Sequence, residues 1–160
     1  MRFGYLSTIF CLVVLLANQA IAADSDHKIP RFVSLKSGEV NMRTGPGSDY
    51  PISWVYSRKH LPVMIIEEYE NWRKIKDPEG DSGWVFRAMI DGSRHAMITG
   101  KLEPLYRRPD SSSPVLLRAE RGVIGKLEAC RDDWCELEID DMKGWIKRNK
   151  IYGVLKDEDF

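Results

Sequence analysis

Few side chains in this chain combine the residue types and spacing that covalent chemistry needs. Cys130 and Cys135 flank Arg131-Asp132-Asp133-Trp134, and Cys11 stands far from both. Two thiols at that spacing can close a disulfide, act as a redox pair or ligate a metal. Two cysteines alone cannot complete a tetrahedral zinc shell, and no histidine pair stands near them. The histidines His27, His60 and His95 are scattered, the last two beside turns. No Cys–His or Ser–His arrangement is indicated by spacing, although such groups meet in space rather than in sequence. The acid pairs Glu67-Glu68, Asp132-Asp133 and Asp140-Asp141 fall in or beside turn segments, where solvated carboxylates are ordinary. Gly45-Pro46-Gly47 lacks the lysine and the following helix of a phosphate loop. The inventory argues against an enzyme and implies no cofactor and no metal.

Recognition has better material. Val40-Asn41-Met42-Arg43 leads into Gly45-Pro46-Gly47, and Ile52-Ser53-Trp54-Val55-Tyr56 leads out. Pro fixes φ and lacks a donor, and glycine permits φ > 0, so the loop interrupts two β runs. Tyr50, Trp54 and Tyr56 flank it. Either they line an aromatic groove, or Trp54 is core and Tyr50 packs the loop. Arg43 could hold a ligand carboxylate through both guanidinium nitrogens; the alternative is a local pair with Glu39 or Asp49. Strand parity adds two tryptophans, because side chains alternate faces along a strand. In Trp134-Cys135-Glu136-Leu137-Glu138-Ile139, Leu137 and Ile139 claim the core with Cys135, so Trp134 faces outward. Trp72 lies likewise with Lys74 and Lys76, and Trp84 shares a face with Phe86. An outward Trp can serve a ligand, or it can fold over its hairpin and cover the module.

The elements that position these residues are short strands. Candidates run through 32–35, 40–43, 52–56, 61–66, 72–76 and 83–86, with Gly/Pro turns between them and no convincing helical period. After Asp91-Gly92-Ser93-Arg94 the pattern repeats. Trp72 aligns with Trp134, and Gly83-Trp84-Val85 with Gly144-Trp145-Ile146. Leu105-Tyr106-Arg107-Arg108-Pro109-Asp110 takes the place of Asn41–Gly47, without the Gly-Pro-Gly. The order "N-x-R-x-G-P-G … W-x-K-I … G-W-V" resembles bacterial SH3-like (SH3b) domains over about residues 32–153. The tandem arrangement resembles an exported, stand-alone family of such proteins. The resemblance implies an all-β chain of two small tandem barrels at 31–92 and 95–155. It implies a non-catalytic binding module of the bacterial envelope, recognising peptidoglycan through its peptide stems. The alternative is an interaction or scaffold module that binds an extended segment of an envelope or host protein. The ligand surface is placed on the first module, at Arg43, Tyr50, Trp54 and Trp72, because only that copy keeps the Gly-Pro-Gly and Tyr50.

The start of the chain fits export. Arg2 precedes an apolar run at 9–17, and Ala20-Ile21-Ala22 is a small-x-small cleavage site, so residues 1–22 are expected to be a removed signal peptide. No membrane anchor is expected after cleavage, since the run is too short to span a bilayer. Phe10 before Cys11 argues against lipidation. The protein is expected to be periplasmic or secreted. That compartment favours a Cys130–Cys135 disulfide. With Asp132-Asp133 as a two-residue turn, the two cysteines become a non-hydrogen-bonded pair with Cα atoms about 4.5–5.5 Å apart, a separation that suits the bond. A slightly longer turn is the other possibility. Lys and Arg total 24 against 24 Asp and Glu, so there is no basic excess for a nucleic acid. Residues 23–30 are expected to be a disordered lead-in and 156–160 a frayed polar tail.

Overall fold

A computed structural model describes residues 27–160; the expected leader, 1–22, and the start of the lead-in lie outside the described residues. Each alternating run becomes a strand. The first module holds β1 (Arg31–Leu35), β2 (Val40–Arg43), β3 (Ile52–Tyr56), β4 (Pro62–Tyr69), β5 (Trp72–Lys76), β6 (Ser82–Phe86), a 3-10 turn at Arg87–Met89, and β7 (Ile90–Asp91). The second holds β8 (His95–Ile98), β9 (Leu102–Tyr106), β10 (Val115–Glu120), β11 (Ile124–Arg131), β12 (Trp134–Ile139), β13 (Met142–Lys147), a 3-10 turn at Arg148–Lys150, and β14 (Ile151–Tyr152). The sheet orders are β3-β2-β6-β5-β4-β1-β7 and β10-β9-β13-β12-β11-β8-β14. They match position by position, so the sequence repeat is a repeat of topology, and the all-β expectation of two tandem modules holds.

Each module encloses one apolar cluster. Leu35, Val40, Val63, Ile65, Ile75 and Val85 build the first. Ile98, Leu105, Leu127, Leu137 and Ile146 build the second, with Cys130 and Cys135 among them. A module of about 60 residues buries only ~60% of its unfolded surface, so help from a neighbour matters. Met97 and Ile124 of the second module pack into the first cluster. Phe32 meets Tyr152 edge-on at 5.0 Å. Arg58 donates to the Gly122 carbonyl at 2.6 Å, and the Tyr152 hydroxyl donates to the Lys76 carbonyl at 2.9 Å.

The β4–β5 and β11–β12 hairpins share one design. Both carry a bulge, between Ile65 and Glu67 and between Leu127 and Ala129. Both close through a two-residue turn whose first residue has positive φ, Glu70 at 47° and Asp132 at 49°. That sign matches the turns whose twist suits a hairpin. Below the tip, Cys130 faces Cys135 and the two form a disulfide with Cα atoms 4.1 Å apart. The pairing and the two-residue turn are as expected, and the separation is slightly tighter. At the same ladder position the first module has Glu68 facing Arg73, joined as an ion pair at 3.0 Å, and Glu68 also pairs with Arg31.

The next connection differs. β12 and β13 join through Asp140-Asp141, with φ of 48° and 63°. β5 and β6 join through the longer loop 77–81, organised by buried Asp77. One oxygen of Asp77 accepts from the backbone N–H groups of Glu79, Gly80 and Asp81. The other accepts from the Tyr56 hydroxyl at 3.0 Å. Burial first, and then the charge of Asp77, push the Tyr56 phenol far above its usual range.

The tail is not frayed. Phe160 and Cys130 exchange both backbone hydrogen bonds, at 3.0 and 3.1 Å. Glu158 grips Arg94, and Arg148 donates to the Leu155 and Glu158 carbonyls and to Asp159. Burial favours a protonated Glu158, but the bonds from Arg94 and the Leu155 N–H outweigh it and hold the carboxyl below its usual value. The charged composition that suggests fraying is what these distant arginines capture.

Candidate functional site

The loop between β2 and β3 is tied by its own backbone. Thr44 N–H donates to the Pro51 carbonyl at 3.0 Å, Gly47 N–H to Gly45, and Tyr50 N–H to Gly47. Neither Gly45 nor Gly47 has positive φ, so the expected reason for the glycines is wrong. Gly45 serves a close approach: a Cβ there would lie 2.3 Å from the Tyr50 ring. The second module repeats the loop bond for bond, with Arg107 N–H to Pro114, Asp110 N–H to Arg108 and Ser113 N–H to Asp110. There Arg108 replaces Gly45 and buried Ser113 replaces Tyr50. Loss of the Gly-Pro-Gly therefore leaves the turn intact. The glycine and the aromatic ring are exchanged together.

Arg43 donates to the Tyr50 carbonyl at 2.7 Å. Neither Glu39 nor Asp49 pairs with it; the guanidinium braces the loop. In the ladder Arg43 faces Ile52 and Trp84, and Trp84 faces Lys74. One step along, Phe86 faces Trp72, which faces Tyr69. Opposed residues share a sheet face, so Ile52, Arg43, Trp84 and Lys74 form one row and Phe86, Trp72 and Tyr69 the next. Ladder spacing sets Arg43 and Trp72 ~12 Å apart, the reach of a few extended residues. Trp72 meets Phe86 edge-on at 5.6 Å, and Tyr69 and Phe86 remain 53% and 40% exposed.

Trp54 departs from the expected site. A bulge makes Ser53 the extra residue, so Trp54 faces Met42 while Ile52 faces Arg43. Trp54 thus has the parity of the core, on the opposite face from Arg43. It is nevertheless 59% exposed, because β3 is the edge of its sheet. It is neither core nor part of the Arg43 face. The ladder sets Arg43 and Trp72 on one face, Arg43 bonds the Tyr50 carbonyl beside it, and Trp54 lies apart from them. Tyr69, Phe86 and Lys74 belong to that face and were not among the expected residues. Parity from Trp72 reaches Lys74, and Trp84's parity reaches Phe86, but Tyr69 required the hairpin register.

In the second module the same positions hold Tyr106, Trp145, Trp134, Lys147 and Arg131. Lys147 sits over the Trp134 ring at 4.1 Å, and Arg131 over Trp145 at 4.5 Å. Tyr106 meets Trp134 edge-on at 5.7 Å. Trp134 and Trp145 are 8% and 6% exposed. Trp134 lies on the outer face, as parity requires, yet folds under its own module's cations. Lys147 stands where Phe86 stands, and Arg131 where Tyr69 stands. In the first module Lys74 lies over Trp84 at 5.9 Å and Trp84 is as buried as its counterpart. The two faces differ at Tyr69 and Phe86, which stay exposed where the second module has Arg131 and Lys147 over its tryptophans.

No curated protein matches the chain. Among solved structures it is similar to NlpC1 from Trichomonas vaginalis, at 9% identity over 83% of this chain and 49% of that one, with a TM-score of 0.37. NlpC2 from the same organism gives 11%, 84%, 52% and 0.37. An NlpC/P60 family protein from Bacillus cereus gives 12%, 80%, 58% and 0.34. The chain spans about half the length of these proteins. The bacterial SH3 domain family matches residues 36–92 and again 100–153, intervals that hold every strand of the two sheets except the first of each, β1 and β8. On that double match, the chain belongs to the bacterial SH3 domain family.

Proposed function

We propose that the outer face of the first module is a ligand surface for an extended peptide bearing a carboxylate, and that the ligand class is the peptide stem of peptidoglycan. The protein acts in the bacterial envelope after export, as a binding module without catalysis. The observation that carries this reading is a contrast at matching positions: Tyr69 and Phe86 are exposed in the first module where Arg131 and Lys147 cover Trp145 and Trp134 in the second. Aromatic walls suit extended peptides, and Arg43 supplies a cation for the carboxylate. A ligand this short should bind weakly, in about the micromolar-to-millimolar range.

Co-sedimentation with purified sacculi, with and without competing muropeptides, tests the proposal. Tyr50→Ala and Phe86→Ala should lower binding while the melting temperature stays near wild type, since exposed side chains contribute little to stability. Binding that survives both changes and disappears on altering Lys147 would move the site to the second module. A second reading also has support. β3 ends its sheet and exposes Ile52, Trp54 and Val55, and an edge of that kind can accept an extended segment of an envelope or host protein as an added strand. In that case Trp54→Ala abolishes capture of the protein segment, and muropeptides do not compete.

A further inference from the structure

His60 and Gly122 occupy one position in the repeat. His60 N–H donates to Leu35, and Gly122 N–H donates to Ile98, each at 2.8 Å. Both residues have positive φ, 67° and 84°. Glycine takes that conformation freely and a histidine does so at a cost. The His60 ring stacks on His95 across the module junction, with centroids 4.3 Å apart and planes 22° apart. His60 Nδ1 is buried and has no hydrogen-bond partner among the described residues. The two rings line a cleft of about 480 Å³ with Arg58, Lys59, Lys126 and Ile124, and no carboxylate lines it. Lys126 faces His95 directly in the ladder, although its Nζ also bonds Glu128 at 3.0 Å. A histidine with a strained backbone and a buried, unpartnered ring nitrogen among cations at a junction has no evident structural purpose, since glycine serves the other copy.

We propose that this cleft binds a phosphate monoester group and ties the two modules together through it. The hydrogen bonds assign the ring protons. Ser34 Oγ donates its one proton to the Ser93 carbonyl at 2.6 Å, so at its 2.9 Å contact with His95 Nδ1 it must accept. Neutral His95 therefore carries its proton on Nδ1 and has a bare Nε2. His60 can leave Nδ1 bare and donate from Nε2 while neutral. His95 can donate to an anion only after taking up a second proton. Burial, and then His60, lower the His95 pKa; Lys126 lowers it further, while the Ser93 carbonyl and Asp91 raise it. Arg58 and Lys59 add positive charge from the facing loop. A bound dianion reverses that balance, so binding is linked to proton uptake by His95. Several cations around one small cleft suit a group with two negative charges better than a single carboxylate.

The experiment follows the His60 and His95 ring resonances and the melting temperature during titration with inorganic phosphate, against chloride at equal ionic strength. Sulfate, whose charge is constant over the range, replaces phosphate for the pH series. Saturable shifts of both rings, thermal stabilisation by phosphate, and sulfate affinity about tenfold higher at pH 5.5 than at 7.5 are expected. His60→Gly installs the residue of the other copy, so it should keep or raise the melting temperature in chloride yet lose the response to phosphate. Lys126→Gln should weaken binding about tenfold. No saturable shift beyond chloride, or an undiminished response in both variants, overturns the proposal. Phosphatidic acid vesicles distinguish the source. Retention lost in His60→Gly assigns a lipid headgroup, and phosphate binding without retention assigns a soluble or polymer-borne monoester. Either result supports the cleft.

Discussion

The tips of the two main hairpins carry one backbone and two kinds of staple. At the second ladder position Cys130 and Cys135 are joined covalently, while Glu68 and Arg73 are joined by charge. The outer faces above them diverge as well: Lys147 and Arg131 cover Trp134 and Trp145 in one copy, while in the other Lys74 covers Trp84 and Tyr69 and Phe86 stay exposed. The second copy has turned its hairpin and its aromatic face inward, toward its own integrity. The first keeps a reversible staple and exposed aromatic rings. On the function proposed above, one copy serves as support while the other stays available to a ligand.

The largest effect should come from the connection that only the first module has. Asp77→Ala removes the carboxylate that accepts from Glu79, Gly80 and Asp81 N–H and from the Tyr56 hydroxyl, and only Gly80 keeps a bond to the Asp77 carbonyl. It should cost about 3 kcal/mol in urea unfolding, whereas Asp140→Gly in the matching tight turn should cost nothing. A small loss for Asp77→Ala would mean that loop 77–81 holds itself.

Next in size is the staple. Removing the disulfide through Cys130→Ser with Cys135→Ser should cost about 2 kcal/mol, and reductant should destabilise only the wild type. Free-thiol titration of the unreduced, denatured protein should find none reactive in Cys130 and Cys135. Glu68→Gln should cost less, about 1 kcal/mol, because the pair keeps some contact with water. That loss should shrink in high salt, while the cost of losing the disulfide should not.

The loop exchange is a double-mutant cycle. Gly45→Arg alone forces the Tyr50 ring aside and should cost about 1–2 kcal/mol. Tyr50→Ser added to it recreates the pairing of Arg108 with Ser113 and should restore most of that loss. Additive costs would show that the two positions are independent.

The smallest effect on stability, and the most direct on function, is a transplanted cap. Phe86→Lys with Tyr69→Arg gives the first module the cations of the second. Sacculus binding should drop about tenfold or more, with the melting temperature nearly unchanged. Unchanged binding would show that open aromatic rings are not what the ligand uses.

Most of the architecture is legible in the sequence because its signals are local. Alternation in Trp134–Ile139 fixes which side chains enter the core, and the spacing of Cys130 and Cys135 fixes the hairpin register. Paired Gly-Trp steps reveal the repeat. The failures are places where one residue alters a count or a distant residue intervenes. Ser53 is an extra residue at a bulge, and that slip alone moves Trp54 off the face of Arg43. The Glu68–Arg73 pair is hidden among many charges near turns. The strain at His60 leaves no mark in composition and emerges only when the register aligns it with Gly122. Residues 156–159 have the composition of a frayed end, and the arginines that hold them lie far away in the chain.

That last segment has a mechanical meaning. Arg94, which Glu158 grips, is the residue just before β8, in the short link between the modules, and it also donates to the Gly153 carbonyl at 2.8 Å. Phe160 lies against the same guanidinium at 5.3 Å while its backbone extends β11 at Cys130. Residues 156–160 thus act as a linchpin: they hold Arg94 in the link to β11 and to the end of the second module. Tension or cleavage at 156–160 would be transmitted to the hinge, and the angle between the two modules would change before either sheet came apart.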